Sequence, residues 1–81
     1  MKRPRPQVVE VEWEDSAVNS QTWDLDEEPL DTLLLYTVGF LVERSKRKIV
    51  IAAEWAEKQG TYRYTHAIPT RVVRRVRWLK A

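Results

Sequence analysis

From Val8 to Glu14 the chain alternates without a break, with Val9, Val11 and Trp13 on one parity and Glu10, Glu12 and Glu14 on the other. This period of two puts three apolar side chains on one face and three carboxylates on the opposite face, the signature of a half-buried strand. In an 81-residue chain without cysteine, that buried face has to do most of the stabilising. There is room for one compact domain, and neither disulfides nor cysteine-bound zinc are available to staple it.

Further strands follow the first. Tyr36 to Val42 is rich in β-branched and aromatic residues and is bounded by the charged run Glu43–Lys48. It predicts a second strand followed by a turn, with Gly39 inside it marking a bulge or sharp bend. Lys48 to Trp55 predicts a third strand, with Ile49, Ile51, Ala53 and Trp55 on one face, and is favoured over the alternative in which Ala52 to Lys58 continues as helix. After the turn Lys58–Gly60, Thr61 to Ile68 predicts a fourth. From Thr70 onward the pattern is ambiguous: Val72, Val73, Val76 and Leu79 fit a helical face capped by Thr70, whereas Val76 and Trp78 alternate with Arg75 and Arg77, and one helical turn followed by a short fifth strand is the favoured reading. By strand parity, the expected core is Val9, Val11, Trp13, Val38, Phe40, Ile49, Ile51 and Val76, and Trp55 and Trp78 also share faces with aliphatic residues. The stretch between Asp15 and Asp31 is polar, acidic and aperiodic, and predicts a long loop. Pro29 suits the first position of a short helix through Asp31, Leu33, Leu34 and Leu35, which stands as the alternative for the end of that loop. Two prolines and three cations in residues 1–6 predict a flexible basic arm ahead of a single domain spanning residues 7–81.

Five short strands, a long first loop and a short fourth connection make the plan of a mainly β fold, a closed five-stranded SH3-like or Sm-like small barrel. The segments Val9-Glu-Val-Glu-Trp-Glu-Asp-Ser16, Thr37-Val-Gly-Phe-Leu-Val42 and Ile49-Val-Ile-Ala52, then Ile68-Pro69 with Val73, Val76 and Leu79, carry a resemblance to small uncharacterised proteins of tailed bacteriophages and prophages. It covers about two thirds of the chain and departs mainly in Ser16 to Leu35. It implies a viral origin and a location in the host cytoplasm. That family has no assigned activity, so the resemblance brings no catalytic or binding residue.

Charge is unevenly distributed. Residues 1–43 carry three basic and ten acidic groups, with no Lys or Arg from Gln7 to Glu43, whereas residues 44–81 carry eleven basic groups against Glu54 and Glu57. Acidic and basic strands lying side by side would cancel each other through cross-strand pairs, and Glu10, Glu12 and Glu14 are the expected partners of the C-terminal arginines. The alternative is a dipolar surface that meets a charged partner.

Chemistry is poorly served by these residues. His66 is the only histidine and no serine forms a nucleophile motif with it, while two glycines cannot build a phosphate loop. Asp24, Asp26, Glu27, Glu28 and Asp31 lack the order of a calcium loop. The expectation is therefore a protein that is not an enzyme, with no cofactor and no metal. No apolar run is long enough to span a membrane, and the basic start at Lys2 leads into no signal-peptide core, so no membrane partner is expected. Trp23, with Asp24, Asp26, Glu27 and Glu28, is the candidate surface for a host or phage protein, which makes a non-catalytic protein-interaction module the leading reading. Arg63, Arg74, Arg75 and Arg77, with Tyr62 and Tyr64, supply cations and rings for a nucleic-acid face of the Sm-like kind, the runner-up. Assembly into a homo-oligomer stays open.

Overall fold

A computed structural model describes residues 5–15 and 32–80. The acidic loop, Trp23, Pro29 and the first four residues of the basic arm lie outside the described residues. Five strands follow in order: β1 (Val8–Asp15), β2 (Leu33–Arg44), β3 (Lys48–Ala56), β4 (Thr61–Pro69) and β5 (Val73–Leu79), with a 3-10 turn at Thr70–Val72 before the last. The helical turn and fifth strand expected after Pro69 are both present. The alternative helix through Leu33–Leu35 is not, because these leucines pair with Asp15, Glu14 and Trp13 of β1. A ladder partner on β1 outweighs local helix propensity here.

All pairings are antiparallel and form one sheet in the order β4-β3-β2-β1-β5, with β5 returning to the far side of β1. The sheet is open, which corrects the closed barrel: β4 and β5 are its two edges, joined through the 3-10 turn rather than by a ladder. It is nevertheless strongly curled. In a flat sheet, strands β1 and β4 would lie about 14 Å apart, yet the rings of Trp13 and His66 meet edge to face at 5.4 Å. Val9, Val11 and Trp13 of β1 thereby form one buried cluster with Ile49 and Ile51 of β3 and Ile68 of β4, and Leu35, Leu41, Val72, Val73 and Val76 pack around it.

The curl is made in β2. Its residues from Leu33 to Phe40 pair with β1, and those from Phe40 to Arg44 pair with β3. Gly39 stands at the crossover, where an added Cβ would lie 2.3 Å from Ile51 Cγ2 and 2.6 Å from the Ala52 carbonyl oxygen. Only a residue without a side chain allows the two strands to approach so closely. Of the bulge or sharp bend expected at Gly39, the close crossing lies there, whereas the β2–β3 register shifts further on, between Leu41 and Glu43.

The same register overturns the expected parity of β2. Val9, Val11 and Trp13 lie opposite Gly39, Thr37 and Leu35, so the odd-numbered residues share the core face. Thr37 can face inward because its hydroxyl accepts the Trp13 indole N–H at 2.9 Å. Val38 is 54% exposed, and Phe40 lies outside the core cluster with its ring against Trp55 at 6.2 Å. Trp78, expected in the core, is 53% exposed, because it lies opposite Val9 on edge strand β5, beyond which no further strand stands among the described residues.

Candidate interaction surface

The face opposite the core is arranged in three columns. Leu34, Tyr36, Val38 and Phe40 line β2, and directly across from them on β1 stand Glu14, Glu12, Glu10 and Val8. Beyond β1, Arg75 lies opposite Glu12 and Arg77 opposite Glu10. An apolar column, an acidic column and a basic column therefore run side by side. The last two largely neutralise each other: Arg77 Nε is 3.3 Å from Glu10, and Arg74 Nη1 is 2.7 Å from Glu14. The cross-strand pairing expected from the charge pattern is thus found on β1 and β5. Arg63 pairs elsewhere, with Glu54 of β3 at 3.5 Å.

The apolar column has no such cover among the described residues. Leu34, Tyr36 and Val38 are half-exposed or more, as is Leu33 at the start of the strand. Tyr36 is bound to the acidic column by a hydrogen bond between its hydroxyl and Glu12. The negative charge of Glu12 holds that hydroxyl above the usual phenol pKa, helped by partial desolvation, by the hydrogen bond itself and by Glu10.

The six residues proposed for nucleic acid fall into two groups. Tyr62, Arg63 and Tyr64 are on β4, and Arg74, Arg75 and Arg77 on β5, at opposite ends of the strand order. Arg63 is further occupied by Tyr64, donating to its hydroxyl at 3.2 Å and lying 5.2 Å from its ring centre. Tyr64 holds a left-handed backbone (φ 58°), unusual for a bulky strand residue. Trp23, Asp24, Asp26, Glu27 and Glu28 lie outside the described residues.

A second region escaped the sequence reading. At the end of β5 a recess is lined by Arg5, Pro6, Gln7, Val8, Trp78 and Leu79. The Arg44 guanidinium lies over the Trp78 ring at 6.0 Å from its centre. The β2–β3 turn leading away from Arg44 is braced. Ser45 N–H donates to the Lys48 carbonyl at 2.9 Å, and the Ser45 hydroxyl accepts from the N–H groups of Arg47 and Lys48. Thr70 clamps the turn from outside, its N–H on the Arg47 carbonyl at 2.9 Å and its hydroxyl on the Ser45 carbonyl at 3.2 Å. The only sequence signal for this site was the alternation of Trp78 with arginines, which equally suits a core position.

Among the described residues, no group of three His, Asp or Glu side chains could hold a metal ion. No helix among them is long and apolar enough to cross a membrane. Comparisons of the chain with protein-family models, with curated proteins and with solved structures find no match.

Proposed function

We propose that this protein is a small SH3-like barrel, left open at one seam, that works as a non-catalytic protein-interaction module by taking an extended segment of a partner protein along β2. Supporting the barrel reading are the four-strand meander, the 3-10 turn before β5 and the return of β5 to β1. The observation that carries the interaction reading is the exposed column Leu34, Tyr36 and Val38 on a stretch, Leu33–Gly39, whose register partners among the described residues lie on β1 alone. A strand with a side left without a ladder offers main-chain hydrogen bonds for affinity, and alternate side chains give specificity. The segment it suits is extended, with apolar residues at every second position to lie beside the column. In this reading the partner is a host or phage protein met in the host cytoplasm, as the resemblance to phage proteins implies.

The nucleic-acid reading of the six β4 and β5 residues has less support, because three of the four arginines already have carboxylate partners. Selecting extended peptides from a random display library on the full chain tests the interaction reading. Peptides with alternating apolar residues are expected, with affinity falling at least about tenfold in a Leu34→Ser, Val38→Ser variant whose stability changes by less than about 1 kcal/mol. Peptides that bind the variant equally well, or a column engaged only by a second copy in sedimentation experiments, would overturn it.

A further inference from the structure

The apolar side chains are only half of what β2 leaves open. The Leu41 N–H donates to the Gln7 carbonyl at 2.8 Å, which extends the β1–β2 register by one hydrogen-bonded pair. Such pairs recur at every second residue of an antiparallel ladder, so Gly39, Thr37, Leu35 and Leu33 also turn their main-chain groups toward β1. Leu34, Tyr36 and Val38 therefore turn their N–H and C=O groups the other way, where β3 pairs with β2 only from Phe40 onward. The open stretch is Leu33–Gly39, with no charge and no proline, and it carries four of the six exposed large hydrophobic side chains among the described residues. The two outer edges of the sheet are protected in ways this stretch is not. On β4, Ala53 and Tyr64 drop out of the β3–β4 register at the left-handed Tyr64, and Pro69 closes the strand. On β5, Arg74, Arg75 and Arg77 would set cation against cation in any self-pairing.

We infer that the open side of β2 pairs with the same side of a second copy of this chain, antiparallel about a two-fold axis at Tyr36, in the place the partner segment would take. The inference rests on the same open ladder as the peptide reading. What favours a second copy is the symmetry of the stretch, since Leu33–Gly39 is centred on Tyr36. Antiparallel self-pairing sets Tyr36 opposite Tyr36, and Leu34 of each copy opposite Val38 of the other, the self-complementary arrangement that a two-fold interface requires. These are the residues whose main-chain groups are open, so every one of these pairs exchanges two hydrogen bonds while its side chains pack on the outer face. Charge does not oppose the pairing. Two β2 strands would separate the acidic columns of the two copies by about 14 Å, beyond the Debye length of about 8 Å at physiological salt. Glu10 and Glu14 are in any case paired with Arg77 and Arg74. The dimer covers the apolar column, and a partner segment has to displace the second copy to reach it.

Sedimentation equilibrium of the full chain tests the inference. Wild type should show a concentration-dependent dimer, and Val38→Lys should raise its dissociation constant at least about tenfold, because the new ammonium would be set against Leu34 of the other copy. In the monomer that lysine would stand half-exposed across from Glu10, so its far-ultraviolet circular dichroism should match wild type. Register is read from single cysteines placed in this cysteine-free chain. A short bis-maleimide should join Tyr36→Cys into dimers but not Val38→Cys, whose two sites would lie four residues out of register, about 14 Å apart along the strands. Adding a peptide selected on the column should turn dimers into one-to-one complexes. A wild type that stays monomeric throughout, a Val38→Lys variant that dimerises equally well, or equal crosslinking at positions 36 and 38 would overturn the inference and leave the peptide reading in place. Peptides that bind the column without dissociating the dimer would overturn it too. A dimer crosslinked through Tyr36→Cys, with no peptide found to bind, would support the self-pairing and remove the peptide reading.

Discussion

Arg77 and Trp78 are neighbours in sequence but belong to regions that treat charge in opposite ways. On the outer face, the β1–β5 register sets Arg77 opposite Glu10, which it meets as an ion pair, and Arg75 opposite Glu12, while Arg74, outside the register pairs, reaches Glu14. One residue further along, Trp78 lines the recess with Arg5, and Arg44 lies over its indole; neither arginine takes part in an ion pair among the described residues. Register and side-chain reach together decide which cations pair inside the fold, and a count of charges along the sequence cannot make that distinction.

The most damaging way to break this contrast is to remove the close crossing in β2, the strand whose Arg44 lies over Trp78. Gly39→Val should cost about 3 kcal/mol or more, because its side chain would meet both Ile51 and the Ala52 backbone, and thermal melting should show a drop of more than about 10 °C. A variant melting with wild type would mean that β2 does not cross so closely over β3.

A smaller effect sharpens the contrast directly. A double-mutant cycle on Glu14 and Arg74 should give a coupling of about 0.5 kcal/mol that fades with added salt, as expected for a pair whose arginine side chain is 59% exposed. The same cycle on Arg5 and Arg44, at the recess, should give no favourable coupling. Equal couplings in the two regions would erase the distinction between paired and unpaired charge.

The smallest effect concerns Tyr36. Its ionisation, read by ultraviolet difference titration against Tyr36→Phe, should lie above the ordinary phenol value near 10 and move back down in Glu12→Gln. A raised pKa means that the folded state holds the proton more tightly than the unfolded state. The associated stability is then fully present below about pH 10 and is lost as pH rises through the folded value. An unshifted titration in wild type would detach Tyr36 from the acidic column.

Much of the strand layout is legible in the chain. The alternation at Val8–Glu14 becomes β1 with Val9, Val11 and Trp13 buried, and the ambiguous tail resolves as the 3-10 turn and β5 that its valines suggest. The parity of β2 is not legible. Val38 and Phe40 are the more apolar set, yet Thr37 and Gly39 face the core: one is satisfied by the Trp13 N–H, and the other is needed for a close crossing. Hydrophobicity ranks side chains one at a time, whereas these two positions are set by a hydrogen bond and a steric limit that exist only between strands.

The candidate sites divide in the same way. The sequence by itself determined a mainly β chain with an acidic strand and a basic one available to pair, because period-two alternation and local charge are properties of neighbouring residues. Only the tertiary structure decided that Leu34, Tyr36 and Val38 form an exposed column and that Arg44 lies over the half-exposed Trp78 ring. Both outcomes depend on register and curl, which bring together residues far apart in the chain and cannot be read from any window along it.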